Sequence, residues 1–335
     1  MPDPVILPAA AWRKLVIRAL ERSGASPQQS QPTAKALVAA EADGQGGHGL
    51  SRVPSYAAQL RSGKVVGRAA PALERITPAA VRVDAGHGFA YPALDLAIEA
   101  LAASAKRQAV AVAAVRRSHH FGQAGAHVER LAERGFVALL FGNSPHAMAF
   151  HGGARPRMGT NPIAFAAPLP GRAPLVVDLA LATAARGRIV AAQKAGRAIP
   201  EGWAVDAQGA PTTDPAAALD GALLPLGGAK GSALALMVEV LGAALTGSAF
   251  GWEASSLFEG AGPAPDLGQT LLALDPGALG GDGFGARMAA LAQAVAEDGA
   301  RLPGDRRLEA RALAASKGLA APEALWAEIS ALAGA

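Results

Sequence analysis

The sequence predicts a mixed α/β fold, with an N-terminal helical region before a central sheet and helices after it. Three observations predict this. Residues 10–63 read as three helical stretches broken by glycines. Between residues 80 and 180, apolar β-runs alternate with helical periodicity, the pattern of a sheet covered by helices. Helical periodicity then returns on both sides of residues 299–307. A chain of 335 residues is long enough for one large domain or two ordinary ones.

Each element has a local reason. "AAWRKLVIRALERSG" (10–24) sets Trp12, Leu15, Val16, Ala19 and Leu20 at helical spacing and stops at Gly24. "SPQQSQPTAKALVAAEADG" (26–44) restarts with Ser and Pro and ends before the glycine-rich "GQGGHG". "SRVPSYAAQLRSG" (51–63) predicts a third helix, with Ser51 as its cap and Pro54 in its first turn. A turn-rich patch leads to "AVRVDAG" (80–86), a strand by alternation. "YPALDLAIEALAASAKRQ" (91–108) reads as a helix and "VAVAAVRRS" (110–118) as an apolar strand. "GQAGAHVERLAERG" (122–135) is helical, while "FVALLFGNS" (136–144) and "PLVVDLA" (174–180) are buried strands. Residues 187–219 predict a helix followed by irregular chain, and "GGAKGSALALMVEVLGAALTG" (227–247) a glycine turn feeding a long helix. "QTLLALDP" (269–276) predicts a strand, and two helices close the chain around "GARLPGDRR" (299–307). Ligands of such a sheet belong near the C-terminal ends of its strands.

Composition narrows the function. Apolar residues make up 51% of the chain, and much of that is alanine. Lys and Arg number 31 against 27 Asp and Glu, a net charge of +4. The basic residues are scattered, so no nucleic-acid face is predicted, and an anionic small molecule is the better use for them. The absence of cysteine removes disulfides, thiolate zinc sites, iron–sulfur clusters and cysteine nucleophiles. The N-terminus does not read as a signal peptide, and the apolar run 233–247 is too short to span a membrane. A cytoplasmic protein with no membrane or nucleic-acid partner is expected.

No G-x-G-x-x-G stands between a strand and a helix, so the Rossmann fingerprint is missing, and "GGAKG" lacks Walker spacing. Lys230 and the backbone of "GGAKG" could still receive an anion at a helix N-terminus; a plain tight turn is the alternative. His119 and His120 follow a strand. Adjacent residues on extended chain point opposite ways, so a paired metal site is not expected there, and one histidine as acid or base is more attractive. His48 sits among glycines, which offer it little core packing. Arg52 lies four residues on. An imidazole and a guanidinium sharing one pocket could exchange a proton and grip a carboxylate. Thr160 with Asn161, and Asp178, offer further polar groups at strand ends.

Taken in order, "HGLSRVPSYAAQLRSGKV", "SHHFGQAGAHVERLAERG", "GNSPHAMAFHGG", "MGTNPIAFAAP", "VVDLA", "IPEGWAVDAQGAPTTDP", "PLGGAKGSALALMVEVL" and "ARLPGDRR" resemble the malate / L-lactate / sulfolactate dehydrogenase-like oxidoreductases. That family also includes ureidoglycolate dehydrogenase and the reductases of Δ1-piperideine-2-carboxylate and Δ1-pyrroline-2-carboxylate. The segments span most of residues 40 to 310.

The resemblance implies a non-Rossmann α/β fold that binds NADP or NAD, with NADPH favoured. It implies an NAD(P)-binding domain over residues 116–289. A helical substrate and dimerisation region would cover 1–115, completed by 290–335. The reaction implied is hydride transfer to or from C2 of a small 2-oxo or 2-hydroxy acid, or reduction of a cyclic 2-imino acid. His48 and His120 match the family's proton-handling histidines. Arg52 and Thr160 match substrate contacts. His120, Phe121, Gly122, Gln123, Ala124, Asp178, Leu179, Ala180, Lys230, Arg301, Leu302, Pro303, Gly304 and Asp305 match cofactor segments. No metal is implied, and a homodimer is. Two positions depart from the imine-reductase pattern, which has a Ser and an Asp where this chain has Gly47 and Arg188. His48 therefore needs another partner, and Arg188 suits a second anionic group on the substrate.

Overall fold

A computed structural model describes residues 3–335 of the chain. It opens with a short strand, β1 (Val5–Leu7), and two helices that pack on each other, α1 (Ala9–Arg22) and α2 (Pro27–Ala42). Two 3-10 turns, Gly46–His48 and Leu50–Arg52, then lead into α3 (Val53–Ser62). Ser51 does not cap this helix, because its hydroxyl donates to the carbonyl of Gly46 and the chain is already in a 3-10 turn there.

The middle of the chain builds the main sheet. β2 (Ala72–Thr77) and β3 (Ala80–Asp84) form a hairpin, α4 (Ala90–Gln108) crosses over, and β4 (Val110–Ser118) returns parallel to β3. α5 (Ala124–Ala132) and β5 (Val137–Gly142) follow. After β6 (Met148–Ala149) and β7 (Pro156–Met158), β8 (Ile163–Ala167) and β9 (Leu175–Leu179) complete one edge. The turn-rich patch before residue 80 thus contains a strand, β2.

The region read as irregular holds structure as well. α6 (Arg186–Lys194) is followed by β10 (Ala204–Val205), β11 (Pro211–Thr212), α7 (Pro215–Asp220) and β12 (Ala222–Leu223). These short strands join β6 and β7 in a five-stranded sheet ordered β11-β10-β12-β6-β7. α8 (Ala229–Glu239) widens into a π turn over Val240–Ala244. β13 (Leu267–Leu274) then inserts between β4 and β5, giving a seven-stranded order of β2-β3-β4-β13-β5-β8-β9. α9 (Pro276–Gly280) and α10 (Phe284–Glu297) precede α11 (Asp305–Lys317), β14 (Leu319–Ala321) and α12 (Glu323–Ala333). Two closing helices were expected. Here α10 is followed by two more, because Gly318 (φ 83°) ends α11 and lets β14 pair with β1 before the chain turns into α12.

Period-2 alternation sorts the main sheet's side chains onto two cores. Leu140 and Leu271 pack with Leu94, Ile98, Val128 and Leu131 of α4 and α5, while Phe141 joins Met148 and Val238 on the other face. A third core joins Trp12, Leu20, Leu37 and Tyr56 to Ile329 of α12. The N- and C-terminal segments are therefore one packing unit. The boundary drawn at 115/116 falls inside β4, whose pairing with β13 runs across it.

Candidate active site

The glycine-rich break after α2 holds His48. The Leu50 amide donates to Oε2 of Glu41 at 2.8 Å, which folds the loop back on the last turn of α2. Gly49 packs so closely on Glu41 that a side chain there would collide with the same carboxylate oxygen, Oε2. Nε of Arg52 donates to the Gly47 carbonyl at 2.7 Å, and the guanidinium lies 4.6 Å from the centre of the Phe258 ring. Among the described residues, no hydrogen bond engages the terminal nitrogens of Arg52.

His120 comes to the same place from the other side. β4 ends at Ser118, and the chain runs on to Gly122, whose φ of 68° and close approach to the Tyr91 hydroxyl both exclude a side chain. Nε2 of His120 lies 3.0 Å from Nδ1 of His48, with the rings stacked 5.2 Å apart at 13°. Nδ1 of His120 lies 2.5 Å from the Tyr56 hydroxyl, which is 3.3 Å from that of Tyr91. Burial first, and the Arg52 charge second, push His48 down to about 4. The same two causes, joined by the neighbouring histidines, hold His120 well below the usual range. Both rings are thus neutral at pH 7.

The expectation that the adjacent histidines diverge needs correcting. Both lie beyond the strand end, and both reach Tyr56: His120 by its hydrogen bond, His119 edge-on at 5.4 Å. His119 is 1% exposed, and neither ring nitrogen has a partner among the described residues, so it is a buried neighbour of the site.

Three of the other predicted segments converge along β9. The Gly125 amide at the start of α5 donates to Asp178 Oδ2 at 2.7 Å. Gly304 packs against Val176, and Asp305 accepts a hydrogen bond from Arg172 at 2.5 Å. Asp178, Leu179 and Ala180 are exposed there, as are Arg301 and Pro303, while Leu302 is buried as the anchor of its loop. Phe121 is buried against Gly142, and Ala124 begins α5. Gln123 donates to Asp43 at 2.9 Å and leaves its Oε1 buried without a partner among the described residues. That orphaned acceptor, beside an exposed strand end, fits a polar ligand with an amide donor such as a nicotinamide carboxamide.

The Thr160 amide donates to Ser144 Oγ at 3.1 Å, and the Thr160 carbonyl accepts from Leu181. Leu181 in turn accepts from Leu226, next to Gly227 and Gly228 (both φ 66°). Beside this turn is a cavity of about 320 Å³ lined by His151, Thr183, Leu224, Pro225 and Gly228. Lys230 is exposed in the first turn of α8, and Arg188 in the first turn of α6. No hydrogen bond among the described residues joins Arg188 to His48 or Arg52. His48, Arg52 and His120 thus form one group and residues 123–125, 178–180 and 301–305 another.

Sequence reasoning passed over Tyr56, Tyr91 and Phe258. Tyr56 carried a usable signal, since it stands four residues after Arg52 and so shares its helix face. Also missed was a buried ion cluster. Arg307 pairs with Glu129 at 2.8 Å and Asp43 at 3.3 Å, and Arg311 with Asp43 at 2.8 Å, tying α11 to α2 and α5 behind Gln123.

Residues 7–330 match the family described as malate/L-lactate dehydrogenase. The (2R)-3-sulfolactate dehydrogenase (NADP(+)) of Chromohalobacter salexigens is 51% identical over 322 residues, 95% of each chain. The Δ1-pyrroline-2-carboxylate reductase of Ancylobacter novellus is 42% identical over 336 residues, 99% of this chain and 98% of its own. The crystal structure of Δ1-piperideine-2-carboxylate reductase from Pseudomonas syringae is 41% identical with a TM-score of 0.93, over 98% of this chain and 99% of that one.

Proposed function

The chain belongs to the malate/L-lactate dehydrogenase family and is an NAD(P)-dependent oxidoreductase, and from that premise we propose that its substrate is a small 2-oxo or 2-hydroxy acid of the malate, lactate or sulfolactate type. The observation that carries this reading is the hydrogen-bonded His48–His120 pair beside an arginine whose terminal nitrogens make no hydrogen bond among the described residues.

In the oxidising direction, Arg52 receives the substrate carboxylate on its paired N–H groups. Nε2 of His48 takes the hydroxyl proton as the C2–H pair of electrons leaves and the C=O bond forms. A nicotinamide held beside the pair would supply the redox chemistry, as acceptor of that hydride in oxidation and as its donor in reduction. Burial is the main cause that depresses His48 and the Arg52 charge the second; a carboxylate on Arg52 cancels that second part and so raises the basicity of the group that must accept the proton. His120, buried at 7% exposure, is assigned to His48 as its partner, in place of the side chains that Gly47 and Arg188 do not supply.

Residues 120–124, 178–180 and 301–305 would hold the cofactor, with Lys230 and Arg301 available to its phosphates. NADP is preferred to NAD, in keeping with the NADP(+) named for the sulfolactate relative. Thr160 and Arg188 are assigned to the substrate, Arg188 to a second anionic group. The domain reading, residues 116–289 as the cofactor unit and 1–115 with 290–335 as the substrate and dimerisation unit, is supported for the terminal helices by their shared core, while β3 and α4 pack with β4 and the sheet. A homodimer is supported by the apolar stripe of α8 and its π turn, where Leu236 and Val240 are 50% and 53% exposed. A cytoplasmic location suits a cysteine-free oxidoreductase drawing on a soluble cofactor pool.

The second reading, reduction of cyclic 2-imino acids, is favoured by the 42% identity to the Ancylobacter reductase. NADPH and NADH oxidation against oxaloacetate, pyruvate, sulfopyruvate, Δ1-pyrroline-2-carboxylate and Δ1-piperideine-2-carboxylate separates the two. Turnover is expected with a 2-oxo acid and NADPH. Turnover with the imines alone would reverse the order.

A further inference from the structure

We propose that Tyr56 is a positioning residue for this chemistry: its hydroxyl accepts Nδ1–H of His120 and so fixes the tautomers of both histidines, leaving Nε2 of His48 bare. This rests on the reading of His48 as the proton-handling group. The four side chains form one continuous chain of contacts: Tyr91 to Tyr56 at 3.3 Å, Tyr56 to His120 at 2.5 Å, and His120 to His48 at 3.0 Å.

Two neutral arrangements of protons satisfy such a chain. In one, Tyr56 donates to Nδ1 of His120, His120 donates from Nε2 to Nδ1 of His48, and the proton of His48 sits on Nε2. His48 then cannot accept a proton unless every other proton in the chain moves. In the other, each histidine carries its proton on Nδ1: His48 donates to Nε2 of His120, and His120 donates to the oxygen of Tyr56. Tyr56 then gives its own proton to the oxygen of Tyr91. Nε2 of His48 is free to take a proton from substrate, and the resulting imidazolium keeps the same contacts. Only the second arrangement serves the neutral and the protonated state without rearrangement, and it needs an oxygen acceptor at Nδ1 of His120.

The surroundings favour a tyrosine that stays neutral. Tyr56 is fully buried between Phe89, stacked at 4.7 Å, and His119, edge-on at 5.4 Å, and burial pushes its hydroxyl well above its usual range. It therefore acts as an oriented dipole rather than as a proton source. The other charged or titratable groups around the pair are Arg52 from the turn before α3, Tyr91 from α4, His119, and His127 from α5. None of these contacts Nδ1 of His120 in place of Tyr56.

The test is Tyr56→Phe, which keeps the ring and its stacking. In the wild type, ring ¹⁵N shifts at pH 7, with each of the seven histidines assigned by substitution, are expected to report Nδ1–H for His48 and His120. In Tyr56→Phe, His120 is expected to turn to the Nε2–H form. Oxidation by the variant holoenzyme is expected to lose about tenfold to a hundredfold in kcat/KM, part of what general acid–base catalysis supplies. Its acid limb should move to lower pH because the imidazolium loses support, while KM for the cofactor stays unchanged. Tyr91→Phe keeps the acceptor on His120 and should cost less. An Nε2–H tautomer for wild-type His120, or kinetics and pH profile unchanged in Tyr56→Phe, would overturn the proposal. The NMR result stands even if no tested substrate turns over, so failure of the functional reading and failure of this inference are separable.

Discussion

Arg52 and His48 occupy neighbouring positions for different reasons, and substitutions should separate them. Arg52→Lys keeps the charge but loses the planar fork. It is expected to cost about 1.5–3 kcal/mol of substrate binding, seen as a KM raised roughly tenfold to a hundredfold with the cofactor constant unmoved. A kcat loss at constant KM would show that the arginine does not hold the carboxylate. Gly47 meets nothing within 4 Å of where a side chain would begin, so Gly47→Ser should leave the thermal midpoint nearly unchanged. If the hydroxyl at this position belongs to imine reduction, that variant gains relative activity on Δ1-pyrroline-2-carboxylate. An unchanged substrate ratio would sink that idea. At this scale the sequence was informative about residue types: His48 and Arg52 were legible from their glycine setting and spacing. That His48 and His120 touch was not, because 72 residues and five helices and strands separate them.

Among the elements, α11 carries more than its exposed loop suggested. Arg307 was read as the end of a turn, yet it is 9% exposed inside α11 and completes the ion cluster with Asp43 and Glu129. Removing one partner leaves buried carboxylates undercompensated. Arg307→Met is therefore expected to destabilise the fold by about 3 kcal/mol in urea unfolding, the lower part of the range for a broken buried pair, since Arg311 remains. Because Gln123 donates to the same Asp43, the variant should also weaken cofactor binding; a stability loss with no change in cofactor affinity would uncouple the cluster from that loop. The long helices and the buried strands were legible because their apolar periodicity is decided locally. The two-residue strands β6, β10, β11 and β12 were not, because pairings between distant segments create them.

For the whole molecule, four histidines held neutral by burial set the response to acid. His119 is pushed down to about 3, His48 and His127 to about 4, and His120 well below its usual value. Unfolded, each would bind a proton near pH 6.5, so their contribution to stability is complete above that pH and is lost as pH falls toward 4. Each adds a slope of up to about 1.4 kcal/mol per pH unit. Urea midpoints should fall steeply between pH 6.5 and 4, and a flat profile would show that these rings titrate normally in the fold. Light scattering should find a dimer that Leu236→Glu with Val240→Glu converts to monomer; a wild-type monomer would remove the assembly from the reading. The mixed α/β class was legible in the sequence, but the shared core of the N- and C-terminal helices was not, since only packing joins Trp12 to Ile329. The claim that joins these scales is that His48 and His120 handle the substrate proton as one unit. Its most direct test is a double-mutant cycle on kcat/KM for NADP-dependent oxidation of the best 2-hydroxy acid, with His48→Gln, His120→Gln and both together. The account predicts that the double variant is no worse than His48→Gln alone. Losses that multiply would contradict it.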